Sequence, residues 1–351
     1  MTVPPTAAVA SRSGRVLPGW AKLLPGLALC AAIAAAAFVA GKAAPLVGAP
    51  LFAIAIGVVL ANTMGDKIPL KALRVGDISK LALKTGIVIL GASLNLMDIA
   101  VTGGNSFLFL GLTVAVGLGT ALVLGRAMGI DWRIRCLIGM GTTICGGSAI
   151  AALAPVIRAK PEEIAYAVTV VFLFNMIAVF LFPPLGHLMA LTDNGFGIWT
   201  GTAVNDTSAV VAAGFAFSPE AGTVATIVKL TRTTLIIPLV IGFGLALPWL
   251  DPNAVKQDVS LARRVYDAFP VFILLFVAAS VIQTLGLTGG HAADIQLVGR
   301  WTMVIALAAV GLQGHWRAFA GAGARPLLLG AATWAAVAGA SLAMQAATRQ
   351  L

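Results

Sequence analysis

Two stretches sixty residues apart carry the residue types that bind small ions. One is Gly141-Thr142-Thr143-Ile144-Cys145-Gly146-Gly147-Ser148-Ala149-Ile150-Ala151-Ala152. The other is Gly201-Thr202-Ala203-Val204-Asn205-Asp206-Thr207-Ser208-Ala209-Val210-Val211-Ala212. Each opens on Gly-Thr and carries Ser-Ala at the same offset, inside otherwise apolar sequence. Small and polar residues at membrane depth leave backbone N–H and C=O groups open, which is tolerated only where they are buried in protein or line a watery cavity. Paired interruptions at corresponding positions point to a transporter's binding site, and the N-termini of broken helices attract anions. Close helix packing accounts for Gly and Ala, but not for Asn205-Asp206 beside Thr202, Thr207 and Ser208. The candidate substrate-binding residues are therefore Thr142, Thr143, Gly146, Gly147 and Ser148 from the first stretch. The second supplies Thr202, Asn205, Thr207 and Ser208.

An ionisable side chain at membrane depth is costly and marks a functional site. Asp206, with Asn205, is the candidate for ion coupling. It carries a proton, or it holds Na⁺ together with backbone carbonyls; the competing reading is a structural ion pair. Lys229 and Arg232 supply the cations for such a pair, and their three-residue spacing puts them on one helical face. Arg232 lies about ten residues into its apolar segment, roughly 15 Å deep, where reaching a headgroup by snorkelling is hard. A guanidinium grips oxyanions with two prongs. Arg232, and Lys229 beside it, are accordingly candidates for holding an anion, with pairing to Asp206 as the alternative. Asn175 is a polar point suited to interhelical bonding, and Asn62 and Asn95 sit where they cap spans or line a vestibule. His187, His291 and His315 lack metal-ligand spacing. No phosphate-binding loop, nucleophile elbow or metalloprotease motif occurs, so neither ATP hydrolysis, nor a cofactor, nor an enzyme is expected.

The elements that position these residues are apolar helices. Of 351 residues, 59% are hydrophobic and 10% charged, against about 45–50% and about 25% in soluble proteins. Eleven apolar segments lie near 23–41, 47–62, 79–96, 106–125, 136–157, 164–190, 196–217, 222–249, 268–287, 297–314 and 326–347. A span needs about 20 such residues, and the absence of strict alternation excludes a β-barrel. The expected fold is an all-α integral membrane protein with nine to eleven helical spans, two of the segments being discontinuous or re-entrant. Residues 1–22 form a cytoplasmic N-terminal tail and residues 23–347 one polytopic domain. Arg12, Arg15 and Lys22 precede the first apolar run in the manner of a signal peptide, but the next span follows at once, which favours an uncleaved first helix. The net charge of +10 does not point to nucleic acid, because the basic residues sit between apolar segments without interleaved aromatics. The loops at 63–80, 126–135, 250–267 and 315–325 are basic, whereas 97–105 and 288–296 contain neither Lys nor Arg. The basic loops are placed in the cytoplasm, with the N-terminus inside. Arg158 and Lys160 break this pattern if 136–157 spans. They obey it if that segment dips in and returns, and 196–217 then dips from the opposite face. Cys30, Cys136 and Cys145 all fall in apolar stretches and do not suggest a disulfide framework.

A second, weaker pair, Ile89-Leu90-Gly91-Ala92-Ser93-Leu94-Asn95-Leu96 and Ala308-Ala309-Val310-Gly311-Leu312-Gln313, lies on segments of opposite direction, as in an inverted repeat. Together with Lys229-Leu230-Thr231-Arg232-Thr233, the two Gly-Thr stretches resemble the YeiH family of sulfate exporters over about residues 48 to 345. The resemblance implies a bacterial inner-membrane protein with distant kinship to cation/proton antiporters and bile-acid symporters. It also implies inverted repeats, discontinuous helices, elevator motion, a homodimer and sulfate as substrate. The expected function is secondary active transport of a small anion, such as sulfate, a sulfonate or sulfite, driven by H⁺ or Na⁺. The alternatives are a cation/proton exchanger working through Asp206 and, with no catalytic pair to support it, a membrane enzyme or scaffold.

Overall fold

The computed structural model describes residues 23–43, 48–64, 69–70, 72–250, 270–314 and 323–350. The expected N-terminal tail, Lys67, Lys71, Lys256, Arg263, Arg264, His315 and Arg317 lie outside the described residues. Within them the chain forms helices α1 (Leu24–Ala43), α2 (Gly48–Thr63), α3 (Val75–Gly91), α4 (Leu96–Ala127), α5 (Trp132–Thr143), α6 (Gly147–Leu153) and α7 (Pro161–Leu188). They are followed by α8 (Asp193–Ala203), α9 (Thr207–Phe217), α10 (Pro219–Thr234), α11 (Ile236–Leu250), α12 (Val271–Thr284), α13 (Ala292–Gly311) and α14 (Ala324–Thr348). No strand occurs among the described residues.

Local sequence explains where these helices begin. Asn95, Asp131, Thr192 and Ser218 each accept a hydrogen bond from a backbone N–H of the helix that follows, satisfying donors that have no intrahelical partner. Pro161 and Pro219 open α7 and α10, where a missing N–H costs nothing. Asn62 donates to the carbonyls of Val58, 2.8 Å, and Gly314, 2.6 Å, so it ties the end of α2 to the end of α13.

Among the described residues six stretches are long and apolar enough to cross a membrane: α1, α4, α7, residues 219–247 of α10 and α11, α13 and α14. Helices α2 and α12 are apolar but shorter. Helix α3 has 17 residues and carries Asp77, Lys80 and Lys84. Of the nine to eleven expected spans, length and composition alone support six among the described residues. The outer face of α4 exposes Phe107, Leu108 and Val123, an apolar surface that water does not favour.

The segments expected at 136–157 and 196–217 are each two helices that fold back on themselves. At the open end of the first, Arg133 near the start of α5 donates through Nε to the carbonyl of Ile157 beyond α6, at 3.1 Å. Since α5 is 12 residues long, about 18 Å, that bond requires the chain to reverse. At the open end of the second, Ser218 donates to Asp193 across 2.5 Å, and the rings of Phe196 and Phe217 stack with centroids 4.0 Å apart. Helix α7 joins the two open ends. One large apolar cluster packs α1, α2 and α13 around the second hairpin, through residues such as Ile54, Trp199, Val210 and Leu307. Another packs the first hairpin against α7 and α11, through Leu137, Ile150, Val171 and Ile236. Helices α2 and α13 cross almost backbone to backbone: a Cβ on Gly57 would lie 2.8 Å from the carbonyl oxygen of Ala308, so this crossing demands glycine.

Candidate functional site

The two hairpin tips, residues 144–146 and 204–206, meet beside the middle of α7. Asn175 is the fifteenth of that helix's 28 residues. Its Oδ1 accepts from the backbone N–H groups of Asn205 and Asp206, both at 3.0 Å. A Cβ on Gly146 would lie 3.7 Å from Asn175 Nδ2 and 3.7 Å from Asp206 Cα, so both tips converge on one side chain. Gly146 has φ 65° and ψ −128°, a conformation open to glycine and strained for residues with a Cβ.

Each tip leaves the last carbonyls of one helix without intrahelical partners, at the negative end of its dipole. Lys229 and Arg232 on α10 meet them. Lys229 Nζ donates to Ile144 O at 2.5 Å and Val204 O at 3.0 Å. Arg232 donates through Nε to Thr143 O and through Nη2 to Thr142 O at 3.0 Å. Its Nη1 makes longer contacts, 3.5 Å, with Gly201 O and Val204 O. Both side chains are fully buried. Neither forms an ion pair with Asp206 among the described residues, so the ion-pair alternative is not realised in this structure. The two cations stitch the C-terminal ends of α5 and α8 together.

Asp206 instead begins α9. Its Oδ2 accepts from Ser208 N at 2.9 Å and from the Ser208 hydroxyl. With Asn175 and Ser208 it lines a cavity of about 30 Å³ walled by Ile54, Met176 and Val310, room for about one water-sized occupant. Asn205 is fully buried, and neither Oδ1 nor Nδ2 of its amide has a hydrogen-bond partner among the described residues. Thr142 and Thr143 are buried and contribute carbonyls; Thr143 Oγ1 donates to Gly139 O at 2.8 Å. Thr202 is buried and bonded to Ser341, 2.7 Å.

The positive ends of the other two tip helices behave differently. Gly147 and Ser148 open α6 and are exposed, and Thr207 opens α9. Ser148 and Thr207 both line a cavity of about 930 Å³ that also reaches Cys145, Thr233 and the middle of α3. Of the eleven candidate binding residues, only these two hydroxyls come together on open space. Among the described residues the cavity's charge comes from Lys84, which was not among the candidate residues. It lies nine residues into α3, roughly 14 Å along the helix, with Thr85 beside it. Lys84 is exposed and has no hydrogen-bond or ion-pair partner among the described residues. The signal was present: Lys84 lies inside the apolar segment 79–96, where a lysine is unusual, but Lys229 and Arg232 were the cations weighed at membrane depth.

The family model of conserved hypothetical protein 698 matches residues 25–330. A UPF0324 membrane protein of Streptococcus pyogenes serotype M18 is 41% identical over 330 residues, covering 92% of this chain and 96% of the relative. One of Streptococcus agalactiae serotype V is 39% identical over 331 residues, covering 92% and 97%. One of Clostridium tetani is 37% identical over 294 residues, covering 81% and 85%. No solved structure matches the chain.

Proposed function

The chain belongs to the family of conserved hypothetical protein 698, the family that its motifs resemble, and we propose that this membrane protein is a secondary active transporter of a small anion. The observation that carries the reading is the meeting of two helical hairpins whose carbonyl ends are neutralised by buried cations while their N–H ends open on a cavity. Irregular backbone at membrane depth belongs where it lines such a cavity, and the hydroxyls of Ser148 and Thr207 at the two helix starts face that space.

In this reading the hairpins are re-entrant. Nine crossings then remain: α1 to α4, α7, α10 with α11, and α12 to α14. Starting from a cytoplasmic N-terminus in the bacterial inner membrane, every basic loop falls inside, including Arg158 and Lys160. The hairpins enter from opposite faces because α7 separates their open ends. The matching Gly-Thr stretches then sit at equivalent places of oppositely directed units, in keeping with an inverted repeat. The large cavity, bordered by Leu81, Pro155 and Val271, faces the cytoplasm.

Lys229 and Arg232 act as positioning residues that fix the tips; Ser148, Thr207 and the first turn of α9 face the substrate. Asp206 and Asn205 form the coupling site for H⁺ or Na⁺. A cation/proton exchanger is the second reading, favoured by one observation, the unpartnered Asn205 amide next to the Asp206 carboxylate. A buried amide without partners is costly, and its oxygen suits a hard cation.

Purified protein in liposomes decides between them. Labelled sulfate and organic sulfonates are offered under imposed H⁺ or Na⁺ gradients. Accumulation that follows a gradient in the wild type and is lost in Asp206→Asn supports coupled anion transport. Folded protein that moves no anion under any gradient, but moves H⁺ when Na⁺ is supplied, replaces it with the exchanger.

A further inference from the structure

We propose that the cavity takes an organic anion with one acidic group on an apolar body, and that Lys84 binds the acidic group. The inference rests on the transporter reading and names the substrate class of the same site.

Three features of the cavity lead there. Its volume, about 930 Å³, lies at the upper end of the about 300–1,000 Å³ that hold drug-sized organic molecules. A bare inorganic oxyanion would leave most of it filled with water. Its walls are mainly apolar: Leu81 and Ile89 from α3, Pro155 after α6, and Phe272 and Leu275 from α12. Such walls stabilise a hydrocarbon body and offer nothing to a hydrated ion. Among the described residues its fixed charge is one ammonium, because Lys84 is the cation that lines it while Lys229 and Arg232 are committed to carbonyls. One cation balances a monoanion, whereas a dianion brought to this depth keeps a net charge that the low dielectric penalises. Ser148, Thr207 and Thr85 add hydroxyl donors around the same space. The acidic group therefore sits at Lys84, and the apolar body lies against the apolar walls of the same cavity.

The test uses the full chain in liposomes and labelled 1-hexanesulfonate, a permanently charged probe that leaks slowly. Saturable uptake that a hundredfold excess of sulfate does not displace is the expected result. Lys84→Gln is expected to weaken apparent affinity by about tenfold or more, the loss of one charge-assisted hydrogen bond. Lys84→Arg keeps most of the affinity. Both variants unfold at the wild-type temperature in detergent, since Lys84 has no partner to lose among the described residues. Leu275→Trp, which fills part of the cavity from its apolar wall, is expected to abolish hexanesulfonate uptake. Sulfate competing at equal concentration would overturn the substrate class while leaving the transporter reading intact. Unchanged affinity in Lys84→Gln would overturn the residue's role. No uptake of either anion by folded protein would remove both readings together.

Discussion

At the scale of single residues, two buried cations do the work that helix caps do elsewhere. Carbonyls at a helix C-terminus are ordinarily met by water, by a left-handed glycine or by a tightened last turn. At the tips of these hairpins α10 delivers Arg232 to Thr142 and Thr143, and Lys229 to Ile144 and Val204. Replacing Arg232 with Met strands at least two buried carbonyls, at about 1–3 kcal/mol each. The expected outcome is a clear fall in the detergent unfolding temperature, measured by intrinsic fluorescence. Arg232→Lys keeps the charge but loses the fork, and should fall between the two. A residue that held substrate instead would leave the unfolding temperature unchanged and lower affinity alone. Sequence made the depth of Arg232 legible, and its pairing partner was open between an anion and Asp206. The choice of carbonyls was not legible, because it depends on α10 running past both tips.

The elements show the same mixture. The Gly-Thr likeness revealed that two apolar segments are interrupted in the same way, since glycine and hydroxyl residues cannot be mistaken for a uniform lipid-facing helix. The reversal of each segment came from contacts distant in sequence, Arg133 with Ile157 and Ser218 with Asp193, which no local pattern encodes. Lys84 was missed for a related reason: its ammonium matters only because α3, α6 and α12 leave space around it. The start of α9 separates two roles of Asp206. As an N-cap, asparagine serves about as well as aspartate, while alanine costs about 0.5–2 kcal/mol. Asp206→Asn should therefore keep the wild-type unfolding temperature, and Asp206→Ala should lower it. If the carboxylate also couples transport, gradient-driven accumulation is lost in both variants, although only one is destabilised. Accumulation that survives in Asp206→Asn would reduce the residue to a cap.

At the scale of the whole molecule, the hairpins make a claim about sides. With Asn175 halfway along α7 and both tips against it, the hairpins' open ends lie toward opposite ends of a 28-residue helix. That helix is about 42 Å long, enough to cross the hydrocarbon of about 30 Å. Lys160 before α7 and Asn194 after it are both exposed, so each accepts a reporter cysteine with little disturbance. The Lys160 backbone, not its side chain, meets Glu163 in the cap of α7. Cys30, Cys136 and Cys145 are buried, and a background with all three replaced by alanine removes the one that borders the cavity. A membrane-impermeant maleimide should then label Asn194→Cys in intact cells, and Lys160→Cys only after the membrane is opened. That pair of results puts the two ends of α7 on opposite sides of the membrane, with Arg158 and Lys160 obeying the charge rule. Labelling of Lys160→Cys in intact cells would mean that α5 and α6 carry the chain across. The two Gly-Thr stretches would then run parallel, and the opposed geometry on which the transport reading depends would be lost.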